Sequence, residues 1–236
     1  MNYLTVRFDL SQIESWRKLN YPKVLFILGG RLSKTPIVFV VDDDAAIREA
    51  VHELLSSVGH LVETFGSAEE FMSRREPNTP GCLVLDVRLP GTSGLELQKR
   101  LNSHKDRIPI IFISGYGDIP MVVQIMKSGA ADFLQKPFRE QELLECVQAA
   151  LRKDMALRQS EEQISEVMNS YRSLTKRERE IMKLVVTGQI NKQIAAQVGL
   201  SEVTVKIHRA QVMRKMGTPS LADLVRAADK IEAFLA

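Results

Sequence analysis

The chain has 236 residues, 32 Lys and Arg against 29 Asp and Glu, and 44% hydrophobic residues. That length predicts two domains, and that apolar share excludes a disordered chain. No apolar stretch approaches the ~20 residues that a bilayer crossing requires, and the start lacks a signal-peptide pattern, so a membrane is excluded as a partner and the cytoplasm is expected.

Residues 1–34 match no domain pattern. Their apolar stretch, 24–28, is short, and the segment is expected to be an extension without an assigned role. From Ile37 to Leu151, short β-branched runs at 37–41, 61–65, 82–86, 109–113 and 131–135 alternate with amphipathic segments. These lie near 45–57, 67–75, 94–102 and 119–128, and a last one begins near 139. Alternation at these lengths predicts an α/β domain over 35–151, a doubly wound parallel sheet of five strands. Gly59, Gly66, Gly81, Gly94 and Gly129 punctuate its junctions. Residues 152–172 predict a charged helical linker, either a continuation of the preceding helix or a separate connector.

After Thr175 every signal is helical. Thr175-Lys176-Arg177-Glu178 has capping-box spacing. Gly188 ends that helix, Asn191 caps the next, Gly199 ends it, Ser201 caps a third running to Gly217, and Ser220 or the Pro219 turn opens a fourth. The segment 191–198, a turn at Gly199-Leu200 and the segment 201–216 predict a helix-turn-helix within an all-α domain at 173–236. Charge divides along the same boundary. Residues 35–151 carry 11 basic and 17 acidic groups, whereas 173–236 carry 11 and 6. Only the second domain is expected to meet nucleic acid, the alternative being a solvated surface. Cys82 and Cys146 lack metal-ligand spacing and are expected as buried free thiols, and the four scattered histidines do not predict a zinc site.

The predicted strands of the first domain end in polar groups of different kinds. Asp42-Asp43-Asp44 follows the first, Asp86 ends the third, Ser114 follows the fourth, and Lys136 closes the fifth just before Pro137. In a parallel sheet the carboxyl ends of the strands share one edge, and ligands bind there. Carboxylates, a hydroxyl and an ammonium together suit Mg²⁺ and a phosphoryl group. Asp44 and Asp118 are expected only as helix caps. An aspartate-nucleophile phosphatase is the enzyme alternative, but the second acid it usually needs two residues after the nucleophile is Arg88 here. No Gly-x-Gly-x-x-Gly follows the first strand, which argues against a dinucleotide enzyme.

The stretches Val40-Val41-Asp42-Asp43-Asp44, Leu85-Asp86-Val87-Arg88-Leu89-Pro90-Gly91, Ile113-Ser114-Gly115-Tyr116-Gly117-Asp118 and Lys136-Pro137-Phe138 resemble a response-regulator receiver over about residues 36–150. The resemblance implies a flavodoxin- or CheY-like fold. It implies that Asp86 accepts a phosphoryl group from a sensor histidine kinase. Mg²⁺ would be held by Asp43, by Asp42 through water, by Asp86 and by the backbone carbonyl of Arg88. Lys136 and Ser114 would bind phosphoryl oxygens, Phe133 would follow Ser114 inward as an aromatic switch, and Lys136–Pro137 would be a cis peptide. A plain core aromatic also accounts for Phe133.

Residues from Leu174-Thr175-Lys176-Arg177-Glu178 onward, with Ser201-Glu202-Val203-Thr204-Val205-Lys206-Ile207-His208-Arg209, resemble the NarL/LuxR-type DNA-binding domain. The whole chain resembles FixJ-type regulators. At 3.6 residues per turn, Val205, Val212 and Met216 share a core stripe. Ile207, Ala210, Gln211 and Arg214 fall opposite, with Lys206 and Lys215 on the flanks, and this face is expected in the major groove. By family position Lys206, Ile207 and Ala210 read bases. Many relatives carry a longer polar residue where Ala210 stands, and alanine can only touch a thymine methyl or make room. Thr204, Arg214 and Lys215 are expected at phosphates, and His208 and Arg209 at the core edge. The outer face could instead belong to an αα interaction module. The resemblance implies a two-component response regulator with no enzymatic role beyond its own phosphorylation and dephosphorylation. Its partners would be a sensor histidine kinase, double-stranded DNA and, when phosphorylated, a second copy of itself, with RNA polymerase a further candidate. The alternative is a phosphorelay or protein-interaction regulator with weak or phosphorylation-independent DNA binding.

Overall fold

The structure is a computed structural model that describes residues 27–28, 31–32, 35–104 and 106–235. The expectation for residues 1–34 falls largely outside these. Within that stretch, the two-residue strands Ile27–Leu28 and Arg31–Leu32 pair antiparallel. The chain divides into two compact units, Met1–Ala156 and Leu157–Ala236.

The first unit is built on strands β1 (Ile37–Val41), β2 (Leu61–Phe65), β3 (Gly81–Asp86), β4 (Ile110–Ser114) and β5 (Asp132–Gln135). They form one parallel sheet in the order β2-β1-β3-β4-β5. Helices α1 (Ala45–Ser57), α2 (Ala68–Arg74), α3 (Gly94–Ser103), α4 (Ile119–Lys127) and the start of α5 (Glu140–Arg172) connect and cover them. Successive residues of a strand face opposite sides, and in β1, β3 and β4 both sides are buried, which is why these three are near-continuous apolar runs, whereas the edge strands β2 and β5 carry polar residues. Phe39, Val41, Leu83, Leu85 and Phe112 pack with Phe71 and Ile125 on one face. Val38, Val40, Val84, Ile111 and Ile113 pack with Leu143 and Val147 on the other. The order reverses direction between β1 and β3, so their carboxyl ends flank a crevice. β3 begins at Gly81, where a Cβ would lie 1.9 Å from the Ile37 carbonyl oxygen. Only glycine allows the two strands to approach so closely there.

Helix α5 is one element of 33 residues, so 152–172 continues the preceding helix. Buried Asp154 accepts a hydrogen bond from the Gly81 amide at 3.0 Å. That polar anchor had no signal in the apolar pattern. Cys82 is buried, and the half-buried Cys146 thiol donates to Asp132 Oδ2 at 3.1 Å. Burial and the Asp132 carboxylate push the Cys146 thiol up to about 12.

The second unit contains the end of α5 followed by α6 (Lys176–Val186), α7 (Asn191–Val198), α8 (Glu202–Met216) and α9 (Leu221–Leu235). Met168, Leu174, Ile181, Val185, Ile194, Val205, Val212, Leu224 and Ile231 form its core. Thr175 and Glu178 make the expected capping box, Ser201 caps α8 through the Thr204 amide, and Ser220 accepts from the Asp223 amide at the start of α9. Gly199 (φ 67°) and Gly217 (φ 64°) close α7 and α8 in the left-handed region. Asn191 does not cap α7, contrary to expectation. The helix already includes it, and the Ile190 amide before it donates to Gln193 Oε1 at 3.0 Å. The Asn191 side chain is occupied by Arg209, whose Nη1 donates to its Oδ1 at 2.8 Å and ties α7 to α8.

Candidate functional site

The carboxyl ends of β1, β3, β4 and β5 bring their polar groups to one edge of the sheet. Asp42 follows β1 and is fully buried. Its Oδ1 accepts from the Asp44 amide at 3.0 Å, and its Oδ2 from Lys136 Nζ at 2.6 Å. Asp86 ends β3; its Oδ1 accepts from the Arg88 amide at 2.9 Å and its Oδ2 from the same Lys136 Nζ at 2.6 Å. Asp43 is exposed beside them. One carboxylate oxygen from each of Asp42, Asp43 and Asp86 lies within 4.8 Å of the others. Such an oxygen-only donor set suits a hard divalent cation.

Burial pushes the Asp42 carboxyl up to about 6; the Lys136 hydrogen bond and charge oppose that rise, and the Asp86 charge adds to it. Burial works against the Lys136 ammonium, yet the Asp42 and Asp86 carboxylates outweigh it and hold the group above its ordinary value. Lys136 is placed by the end of β5. Its amide donates to the Ser114 carbonyl at 2.8 Å, and its peptide bond to Pro137 is cis.

Ser114, buried at the end of β4, donates from Oγ to the Tyr116 carbonyl at 2.8 Å and accepts from the Tyr116 amide at 3.2 Å. Its hydroxyl is thus held by its own loop. Half-buried Phe133 packs against the core from β5. A Cβ on Gly117, in the loop after Ser114, would lie 2.9 Å from Phe133 Cζ, so ring and loop are in close contact. Asp44 and Asp118 cap α1 and α4, accepting from the amides of Ala46 and Met121. Sequence reasoning missed two groups here. Arg48 Nη1 donates to the Asp42 carbonyl at 2.7 Å, and the Arg88 guanidinium lies 4.4 Å from the Tyr116 ring centroid. The first could have been suspected from the helical phase of α1, because Arg48 lies one turn above the Asp44 cap. The second joins two loops, and nothing in the sequence pairs them.

In the second unit the phase argument for α8 holds, with Val205, Val212 and Met216 buried. Lys206, Ile207, Ala210 and Arg214 are exposed, and Gln211 is half-buried with its Oε1 accepting from Arg214 Nη2 at 2.6 Å. The Thr204 hydroxyl lies 2.8 Å from Ser201 Oγ at the cap. Lys215 turns back: its Nζ donates to Glu178 Oε2 at 2.6 Å. The Lys215 hydrogen bond and the Thr175 amide hold the Glu178 carboxyl below its ordinary range. Val203, in the first turn of α8, is 70% exposed, and no sequence pattern singles it out.

Residues 38–148 match the response regulator receiver domain, and residues 172–228 match the luxR family of bacterial regulatory proteins. Nodulation protein W of Bradyrhizobium diazoefficiens is 50% identical over 199 residues, which cover 84% of this chain and 88% of that protein. The chain is a FixJ-type response regulator. The transcriptional regulatory protein FixJ of Azorhizobium caulinodans is 44% identical over 191 residues, covering 81% of this chain and 90% of that protein. The solved structure of the response regulator StyR is 48% identical, with a TM-score of 0.79, and the match covers 83% of this chain and 99% of that one.

The regulator therefore joins a two-component receiver to a LuxR-type DNA-binding domain, and its function is regulation of transcription. A receiver implies a histidine kinase as its partner, and a LuxR-type domain implies DNA. Among the described residues no helix is long and apolar enough to cross a membrane.

Proposed function

We propose that Asp86 accepts a phosphoryl group from a sensor histidine kinase, and that the phosphorylated regulator dimerises and binds DNA sequence-specifically. The observation that carries this reading is the bridge from Lys136 Nζ to both Asp42 and Asp86, beside Asp43, at the carboxyl edge of the sheet. An Asp86 carboxylate oxygen attacks phosphorus. The bond from phosphorus to the kinase's imidazole nitrogen breaks, that nitrogen keeps the electron pair, and an aspartyl phosphate forms. The Asp43 and Asp86 carboxylates, the Arg88 carbonyl and, through water, Asp42 would hold Mg²⁺. The three carboxylates fit such an ion, because they are oxygen donors and one oxygen from each lies within 4.8 Å of the others. Mg²⁺ supplies the positive charge that lets anionic carboxylates and an anionic phosphoryl group share the pocket.

Lys136 keeps one hydrogen on Asp42 and passes another from Asp86 to a phosphoryl oxygen. Ser114 breaks its bond to the Tyr116 carbonyl and donates to a second phosphoryl oxygen. The loop carrying Gly117 moves with it, and Phe133, in contact with that loop, turns into the space released. These movements reshape α4 and β5, where Ile119 (80% exposed), Val123 and Met126 leave an apolar stripe for a second copy. The family matches at 38–148 and 172–228 support a receiver at 35–151 and a DNA-binding domain at 173–236; the helical stretch 152–172 is the proposed linker, and Thr204, Lys206, Ile207, Ala210, Gln211, Arg214 and Lys215 are the proposed DNA contacts.

Asp86→Asn is expected to abolish Mg²⁺-dependent labelling by acetyl phosphate, because an amide is a poor nucleophile and a lost metal ligand. Acid-stable, base-labile labelling that survives the substitution would move the acceptor elsewhere, with Asp43 the first position to examine.

A further inference from the structure

The centre of the outward face of α8 is apolar. At about 100° per residue, Val203, Ile207, Ala210 and Arg214 fall within about 60° of arc, directly opposite the core stripe. Val203 is 70% exposed and Ile207 is 56% exposed, and Ala210 and Arg214 are exposed as well. Lys206 stands at one edge of the stripe and Arg214 at its end. Two β-branched side chains held in water on the outward face of a DNA-facing helix need an apolar group opposite them. In the major groove the base edges offer one such group, the thymine C5-methyl.

We propose that Val203, Ile207 and Ala210 form a thymine-methyl reader, with Lys206 and Arg214 supplying the flanking polar contacts. The inference rests on the DNA-binding reading of the second unit and specifies what that surface recognises. Charge supports DNA as the occupant, since residues 173–236 carry 11 basic groups against 6 acidic. The spacing also fits. At about 1.5 Å per residue the stripe from Val203 to Ala210 spans roughly 10 Å, or about three base-pair steps of 3.4 Å. A half-site with thymines clustered in a window of about four base pairs is therefore expected.

The test uses the full-length protein, with and without acetyl phosphate and Mg²⁺, to select duplexes from a random library. Each thymine of the enriched half-site is then replaced by deoxyuridine, which deletes the methyl and leaves the base-edge donors and acceptors in place. Each contacted thymine is expected to lose about fourfold in affinity, the equivalent of one buried methyl-sized group. Val203→Ala should abolish the deoxyuridine effect at one thymine and Ile207→Ala at a neighbouring one. Both positions are exposed, so neither change threatens the fold. The proposal is overturned if deoxyuridine is tolerated at every thymine, or if both variants keep the wild-type sensitivity. Salt-dependent binding without any enriched sequence also overturns it, while leaving DNA binding itself standing. Binding to no duplex at any salt concentration would remove the DNA reading, and an apolar protein surface would then be the occupant.

Discussion

Lys136 shows how one side chain can hold a site together and keep it ready to react. It bridges Asp42 and Asp86 at 2.6 Å each while its own side chain is only 14% exposed. Removing one partner of a buried ion pair leaves the other charge uncompensated, at a cost of about 3 kcal/mol. Lys136→Ala is therefore expected to lower the urea stability of the receiver by about that amount without metal, and by less with Mg²⁺ present. Equal losses in both conditions would argue against a cation site at these carboxylates. The residues of this pocket were legible because each stands at the end of an apolar run, where a parallel sheet collects its polar groups. Lys215 was not legible in the same way. Helical phase places it at the flank of a DNA face, but phase cannot see Glu178, 37 residues earlier, which the structure sets against it. Glu178 titrates below its ordinary 4.5. Its pairing therefore stabilises the second unit fully above pH 4.5, and that contribution is lost as the pH falls through the lower folded value. Lys215→Met is expected to destabilise this unit by about 1–3 kcal/mol near neutrality and to flatten its stability loss below pH 4.5. A variant with unchanged stability and a shallower salt dependence of DNA binding would leave Lys215 with its proposed phosphate contact alone.

At the scale of elements, alternation of apolar runs and amphipathic stretches was enough to place five strands and their connecting helices within a residue or two. Both faces of the sheet are covered along β1, β3 and β4, so those runs are uninterrupted, and glycines mark the junctions. The polar links between elements were less visible. Asp154 to Gly81 and Arg209 to Asn191 each join positions far apart in sequence, and neither belongs to a short-range motif. Asn191 misled for a related reason: the sequence shows a good capping residue but not the competing donor, Arg209, that takes its oxygen. The turn between α7 and α8 is the one the glycine predicts: Gly199 has φ 67° and no neighbour would crowd a side chain there. The cost of a substitution at this position is therefore conformational alone. Gly199→Ala is expected to lower the stability of the second unit by about 1 kcal/mol and to weaken DNA binding by misaligning α8. Hydrogen exchange of α7 and α8 amides, compared with that of α9, would show whether the loss is confined to the helix-turn-helix.

For the whole molecule, the fold divides charge and chemistry between two units, and in the proposed mechanism phosphorylation alters something that both share. Self-association is the simplest shared quantity, since a dimer presents two DNA-binding units at once and raises the effective concentration of the second. The α4 face offers the surface. Ile119, Val123 and Met126 are spaced at i, i+4 and i+7, so they form one stripe, and all three are exposed in the single chain. If the phosphorylated state favours pairing of this face, acetyl phosphate with Mg²⁺ should tighten self-association by about 5- to 150-fold, the usual span of coupling between two sites. DNA affinity should rise with it. Val123→Glu places a charge at the centre of the stripe. It is expected to leave labelling of Asp86 intact while blocking both the association and the gain in DNA affinity. Sedimentation of the phosphorylated and unphosphorylated protein, run beside DNA binding on the same samples, decides the matter. Association constants that do not change on phosphorylation would separate the receiver's chemistry from dimerisation. A Val123→Glu variant that still dimerises on phosphorylation would move the contact to another face.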